Sequence, residues 1–321
     1  MANYKSNLAA DAALGLTTLI WGSTFFMAKD ILTEWPPIAY LVFRFGLAGV
    51  LLAATFPRLL KNSGWAEWRA GALLGLLVGG GFALQAAGQI YTTASKSAFV
   101  TGLTTPLVPF LAYALLRARP TWGNMCGVAL ASLGGALILA PPEGAGLKVN
   151  VGDLLTLAAT ILFATHITLL SIFARRHDVR RMAVLQIVAA AAIFALLWGA
   201  FQGAAKIFGL AALPAFAARE TVSLAWGAGV AWQLLYLAVV GTVVAFLLWT
   251  WGQSRTTPTR AAIIFSLEPV FATAFAVAVL GPGEWLGPRG FAGAGLVFAG
   301  IIVSEMRLGA QSEAQCSESE V

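Results

Sequence analysis

The chain has 321 residues, of which 59% are hydrophobic and only 11% charged, with a formal net charge of +6 at pH 7. At a mean hydropathy of +0.81 it has too little polar surface to cover a soluble domain, so it reads as an integral membrane protein. The pI of about 9.6 invites a nucleic-acid reading, but the Lys and Arg residues are spread over short loops without a concentrated basic face, which excludes nucleic acid as a partner.

Apolar runs of about 20 residues, enough to cross a hydrocarbon core of roughly 30 Å as helix, recur along nearly the whole chain. They fall at 9–28, 36–56, 68–88, 93–116, 121–140, 152–174, 182–201, 231–252, 258–280 and 287–306. The first run lacks a small-x-small cleavage site and has full spanning length, so it reads as a membrane span and not as a leader. Trp21 lies too deep in it for an interfacial belt residue, which points to an aromatic cavity wall or to plain packing. In the second span Arg44 is expected to face the bundle and to pair with an acid or accept a carboxylate. The third span carries Gly71, Gly75 and Gly79 at four-residue spacing, and the fifth carries Gly123, Gly127, Ala131 and Gly135. Such stripes let membrane helices approach closely, and they read as static packing in preference to a sliding interface or a homodimer contact. Gln85 and Gln89 in the third span and Gln186 in the seventh either line a cavity or tie helices together.

Lys96 and Arg260 occupy equivalent first turns of the fourth and ninth spans, where a cation opposes the helix dipole. They read either as mirrored gates or anion contacts at the two mouths, or as side chains that snorkel to the interface. Thr93 and Thr257 are the expected caps, with Pro258 at the first helical position. His166, deep in the sixth span, is a candidate proton relay, or a buried imidazole bonded to a nearby hydroxyl such as that of Thr165 or Thr168. The mixed segment from Gly203 to Val230 reads as an interfacial helix. In the ninth span Glu268 sits ten residues in, near the bilayer midplane, beside the helix-loosening Pro269. An ionisable group there is a functional candidate by default, either holding a cationic group of the substrate or carrying a coupling proton. Cys126 and Cys316 indicate neither a disulfide framework nor a metal cluster, no cofactor is expected, and residues 309–321 read as a disordered cytoplasmic tail.

The second half of the chain repeats the first. Gly88-Gln89-Ile90-Tyr91-Thr92-Thr93-Ala94-Ser95-Lys96 returns as Gly252-Gln253-Ser254-Arg255-Thr256-Thr257-Pro258-Thr259-Arg260, and Pro106 falls opposite Pro269 with Thr105 opposite Glu268. Upstream, Asp11 and Thr18-Leu19-Ile20-Trp21 stand opposite Asp153 and Thr160-Ile161-Leu162-Phe163. Five spans per unit force the second copy into the membrane from the opposite face. The expected fold is therefore all-α, with ten transmembrane helices in two inverted five-helix repeats, 9–140 and 151–306. With the N-terminus inside, 13 of the 20 Lys and Arg residues lie in inside segments, which orients both termini to the cytoplasm.

Trp21-Gly22-Ser23-Thr24-Phe25, Arg44-Phe45, Ala94-Ser95-Lys96-Ser97-Ala98-Phe99 with Gly102-Leu103, and Thr257-Pro258-Thr259-Arg260-Ala261-Ala262 leading into Leu267-Glu268-Pro269-Val270 resemble the EamA-type branch of the drug/metabolite transporter superfamily. The resemblance covers residues 9 to 306 and implies a ten-helix inner-membrane carrier, often an exporter of amino acids, related metabolites or toxic compounds, with its site between the repeats. Where such proteins usually carry Leu-Gly-Glu after the ninth span, this chain reads Leu280-Gly281-Pro282-Gly283-Glu284. The expected function is secondary transport of a small amphipathic metabolite such as an amino acid, outward across the cytoplasmic membrane by alternating access. Trp21, Arg44, Gln85, His166 and Glu268 are the expected cavity residues, with protons as the possible coupling ion. Phosphorylated or nucleotide-linked metabolites, which would need a cation cluster at the midplane, and cationic drugs are the alternatives. A membrane-embedded enzyme is disfavoured because the spans hold no matched catalytic set.

Overall fold

The protein is represented by a computed structural model that describes residues 8–116, 122–139, 150–173, 176–253, 255, 264–265 and 267–318. Arg260, with Thr257 and Pro258, lies outside the described residues, as does the start of the ninth expected span. Among the described residues every regular element is helical: α1 (Leu8–Glu34), α2 (Pro37–Thr55), α3 (Pro57–Lys61), α4 (Trp65–Gln89), α5 (Ala94–Gly102), α6 (Thr104–Leu116), α7 (Trp122–Leu139), α8 (Val151–Phe173), α9 (Val179–Phe208), α10 (Ala215–Arg219), α11 (Ala228–Ala238), α12 (Ala245–Gln253), α13 (Glu268–Leu280) and α14 (Gly287–Glu318). A π-helical turn, Val239–Val244, joins α11 to α12. Six helical stretches are long and apolar enough to cross a membrane, namely Leu8–Glu34, Pro37–Thr55, Trp65–Gln89, Val151–Leu170, Val179–Phe208 and Ala228–Gly252. Met125–Gly135 and Glu268–Leu280 are shorter apolar helices. With no water in a bilayer core to bond an exposed backbone, helices are what such apolar sequence forms there.

The fourth expected span, 93–116, is not one helix. α5 stops at Gly102 and α6 starts at Thr104. The cause is Pro106, which has no N–H to give to the Gly102 carbonyl four residues back and whose ring crowds that carbonyl. Just before it the Leu103 N–H turns to Val100 O at 3.1 Å, a bond over three residues instead of four. The same substitution of a three-residue for a four-residue bond recurs before Pro269, where Leu267 N donates to Ile264 O at 3.2 Å. Glu268 is therefore the first residue of α13 after a break, and not ten residues into a continuous helix as its position in the span suggests. The seventh span is longer than its expected 182–201, since α9 runs from an Asp178 cap, whose carboxylate accepts from Arg180 N, to Phe208. The segment after it is not a single interfacial helix but a 3₁₀ turn at Leu210–Ala212 followed by the short α10.

Packing follows the small residues. α7 lies along α14, α4 packs on α8 and α9, α2 on α9, and α1 on α12 and α13. A Cβ added at Gly75 would stand 2.7 Å from Ala189 Cβ, and one at Gly300 would stand 2.5 Å from Gly127 O, so both stripes meet a helix of this chain. They are packing faces within this fold.

Polar groups tie the helix ends at two faces. At the face where α1 ends, called distal here, Lys29 Nζ donates to Gln89 O at 2.5 Å and Thr92 O at 2.9 Å, and Thr92 Oγ1 donates to Asp153 Oδ1 at 2.7 Å. Glu220, in the distal loop after α10, accepts from Ile38 N and Ala39 N at 3.0 Å each, capping α2, while burial pushes its carboxyl up. At the opposite, proximal face Arg181 Nη1 donates to Glu67 Oε1 at 2.7 Å and Oε2 at 2.8 Å, joining the start of α9 to that of α4.

Candidate functional site

Between these two faces lies a cavity of about 130 Å³, walled by α1, α4, α5, α6, α8, α12 and α13. Both helix breaks open into it, and they face each other: a Cβ at Gly102 would stand 3.2 Å from Pro269 Cγ. Backbone that leaves helical geometry at membrane depth persists only inside protein or beside a cavity, and interrupted helices are where many carriers hold their substrates.

Trp21, Gln85, His166 and Glu268, four of the five expected cavity residues, do line this space. The Glu268 carboxylate has no hydrogen-bond or ion-pair partner among the described residues and meets the cavity at the N-terminus of α13, where the helix dipole favours negative charge. Around it stands an aromatic box. The Trp21 ring centroid is 5.7 Å from Phe246, 5.3 Å from Trp249 and 5.8 Å from Phe265, with Phe82 and Phe163 completing the wall. Trp21 Nε1 donates to Gly241 O at 3.2 Å, which fixes its indole. Gln85 Nε2 donates to Thr101 Oγ1 at 2.9 Å, tying α4 to α5 at the rim. His166 pairs through Nε2 with Gln186 Oε1 at 2.6 Å instead of with Thr165 or Thr168, whose hydroxyls donate to Ile161 O and Ala164 O in their own helix. The imidazole is thereby held at a ring distance of 5.9 Å from Trp249.

Two further groups at the cavity carry unused hydrogen-bonding capacity: Trp249 Nε1 and Thr104 Oγ1 are buried without a partner among the described residues. Each such group costs about 1–3 kcal/mol when left unbonded, so both are ready to bond a ligand.

Arg44 is not a cavity residue. It is buried behind Phe82 and bonded to Tyr40, Thr242 and Gly241, with no carboxylate partner among the described residues, so the expected acid pairing is absent there. Lys96 sits in the first turn of α5, its N–H donating to the expected cap Thr93 at 3.1 Å, away from the cavity lining. Gln89 is buried at the distal face, with its carbonyl taken by Lys29. Among the described residues no three His, Cys, Asp or Glu side chains converge as metal ligands.

Sequence polarity missed the aromatic box and Glu284. The repeat itself marks the box: the offset that pairs Asp11 with Asp153 pairs Trp21 with Phe163, and the offset that pairs Gly88 with Gly252 pairs Phe82 with Phe246 and Gln85 with Trp249. All six line the cavity. Glu284 is buried and caps α5, accepting from Ala94 N at 3.1 Å and Ser95 N at 2.8 Å. No local sequence pattern places the Pro282-Gly283-Glu284 turn against a helix nearly two hundred residues earlier.

The EamA-like transporter family profile matches residues 9–140 and 150–306, so both units of the duplication match the same family. The chain belongs to the EamA-like transporter family. An uncharacterized transporter of Archaeoglobus fulgidus is 32% identical over 307 residues, covering 96% of this chain and 89% of the relative. A second uncharacterized transporter of that organism is 27% identical over 279 residues, with 85% and 89% covered. A crystal structure of a protein 19% identical to this chain superposes with a TM-score of 0.64 over 94% of this chain and 99% of that one, a likeness of fold. This EamA-like protein is thus a multi-pass membrane protein of a transporter family, and the cavity between its interrupted helices is its candidate transport site.

Proposed function

We propose that this EamA-like protein is a secondary carrier that exports a small amphipathic metabolite, an amino acid or related amine, across the inner membrane by alternating access, with both termini cytoplasmic. The observation that carries the reading is Glu268, a carboxylate with no partner among the described residues, at a helix break and facing an aromatic cavity midway between two tied faces. A carboxylate so placed is answered by a cation, and aromatic faces add about 2 kcal/mol to a desolvated ammonium. Trp249 Nε1–H and the Thr104 hydroxyl supply bonds to the substrate's polar remainder. Proton and ammonium then compete for one carboxylate, which makes protons the coupling ion.

Ten spans in two inverted repeats, 9–140 and 151–306, account for the pairings. Exchange of the two units turns the contact of α1 with α13 into that of α8 with α5 and α6, and the contact of α4 with α9 into that of α11 with α2. The bonds from Thr92 to Asp153 and from α5 to Glu284 form a distal clasp between the units, and Glu67 with Arg181 a proximal one, and rocking of the units breaks each in turn. Lys96, with an ammonium that has no partner among the described residues, and Arg260 are assigned to the two mouths. Cationic drugs are a second reading, favoured by the same unpaired acid. Phosphorylated metabolites fit less well, because Arg44 is already bonded and stands outside the cavity.

The test is counterflow uptake of a panel of radiolabelled amino acids and amines into proteoliposomes, with and without a pH gradient. Uptake of an amine-bearing class that responds to the gradient is expected. Uptake of none of them would overturn the reading.

A further inference from the structure

Arg44 lies outside the cavity, yet its bonds lead to the cavity wall. Nη1 donates to Tyr40 OH at 2.8 Å, Nε to Thr242 Oγ1 at 3.1 Å, and Nη2 reaches Gly241 O at 3.5 Å, while the guanidinium carbon stands 4.8 Å over the Phe82 ring. A buried cation in a membrane protein with no carboxylate beside it among the described residues persists only where hydrogen bonds and ring faces answer it, and here each of the three guanidinium nitrogens makes a bond. The second observation is the π turn Val239–Val244, in which Thr242 Oγ1 donates to Leu237 O five residues back. Such a turn swings carbonyls off the helix axis and often marks a functional position. The Gly241 carbonyl in this turn accepts from Trp21 Nε1 at 3.2 Å as well as from Arg44. The meeting point is tight, since a Cβ on Gly241 would stand 2.9 Å from Thr24 Cγ2. In the other unit the residue 142 positions on, Gln186, does the corresponding work by holding His166 against Trp249.

We propose that Arg44 is a positioning residue: acting through the π turn and the Gly241 carbonyl, it fixes the Trp21 indole and the aromatic wall of the transport cavity without touching the substrate. The inference rests on the reading of that cavity as the transport site. Arg44→Lys keeps the charge but loses the fork, Arg44→Met loses both, and Trp21→Phe keeps a ring but loses the bond.

The experiment measures counterflow KM for phenylalanine and for phenethylamine, which lacks the carboxylate. It is joined by the 19F resonance of Trp21 in protein labelled with 5-fluorotryptophan, assigned by its loss in Trp21→Phe. Arg44→Lys and Arg44→Met should raise KM about tenfold for both compounds, shift the Trp21 resonance without substrate, and add little to the effect of Trp21→Phe. A KM rise confined to phenylalanine would make Arg44 a carboxylate ligand and overturn the proposal, as would an unmoved Trp21 resonance in both variants. If the wild type transports neither compound, the transport reading falls while the 19F resonance still decides whether Arg44 positions Trp21.

Discussion

At the helix break in the first unit, Thr104 and Thr105 precede Pro106, and the Thr104 hydroxyl is buried without a partner among the described residues; at the break in the second unit, Leu267 and Glu268 precede Pro269, and a carboxylate likewise without a described partner faces the same cavity. The backbone solution is shared, a three-residue bond just before each proline. The chemistry is not shared. The comparison teaches that the repeats supply the geometry of the site twice, while the charge that selects a substrate is supplied once.

The strongest way to break this comparison is to remove the acid. Glu268→Gln should lower amine counterflow about a hundredfold, the scale of one lost charge-assisted contact, whereas Thr105→Val should leave it within about threefold. Equal losses would mean that the two breaks are chemically equivalent. Moving the acid sharpens the comparison: the double change Glu268→Thr with Thr105→Glu should recover about tenfold over Glu268→Thr alone, because the second break faces the same cavity. No recovery would show that the site is not shared across the two breaks.

A smaller effect is expected at Trp249, whose indole N–H has no partner among the described residues. Trp249→Phe should raise the KM for an amino acid about fivefold through the lost bond to its carboxylate, and leave the KM of the corresponding bare amine unchanged. The smallest effect lies at the distal clasp. Glu284→Gln weakens the cap on α5 and should lower stability in detergent by about 1 kcal/mol, seen as a lower thermal midpoint, with substrate KM unaltered.

Much of this architecture was legible in the sequence. The duplication, the six long apolar helices and the paired prolines follow from periodicity and offset, and Trp21, Gln85, His166 and Glu268, singled out for depth and polarity, line the cavity. Arg44 was misplaced because depth along a helix does not say which side of it a residue occupies. The break at Gly102 was readable only as a kink, since a proline removes one bond and the sequence does not say whether the helix bends or stops there. The π turn left no mark at all: Val239-Val240-Gly241-Thr242-Val243-Val244 looks like ordinary spanning sequence, and its extra residue is stabilised by contacts from α1 and α2.

The central claim is that Glu268 holds the cationic group of the substrate. Its most direct test is counterflow of radiolabelled phenethylamine, with the neutral analogue 2-phenylethanol as unlabelled competitor, by wild type and by Glu268→Gln in the same vesicles. The account predicts a preference of the wild type for the amine that disappears in the variant. Amine uptake by Glu268→Gln at the wild-type rate would contradict it.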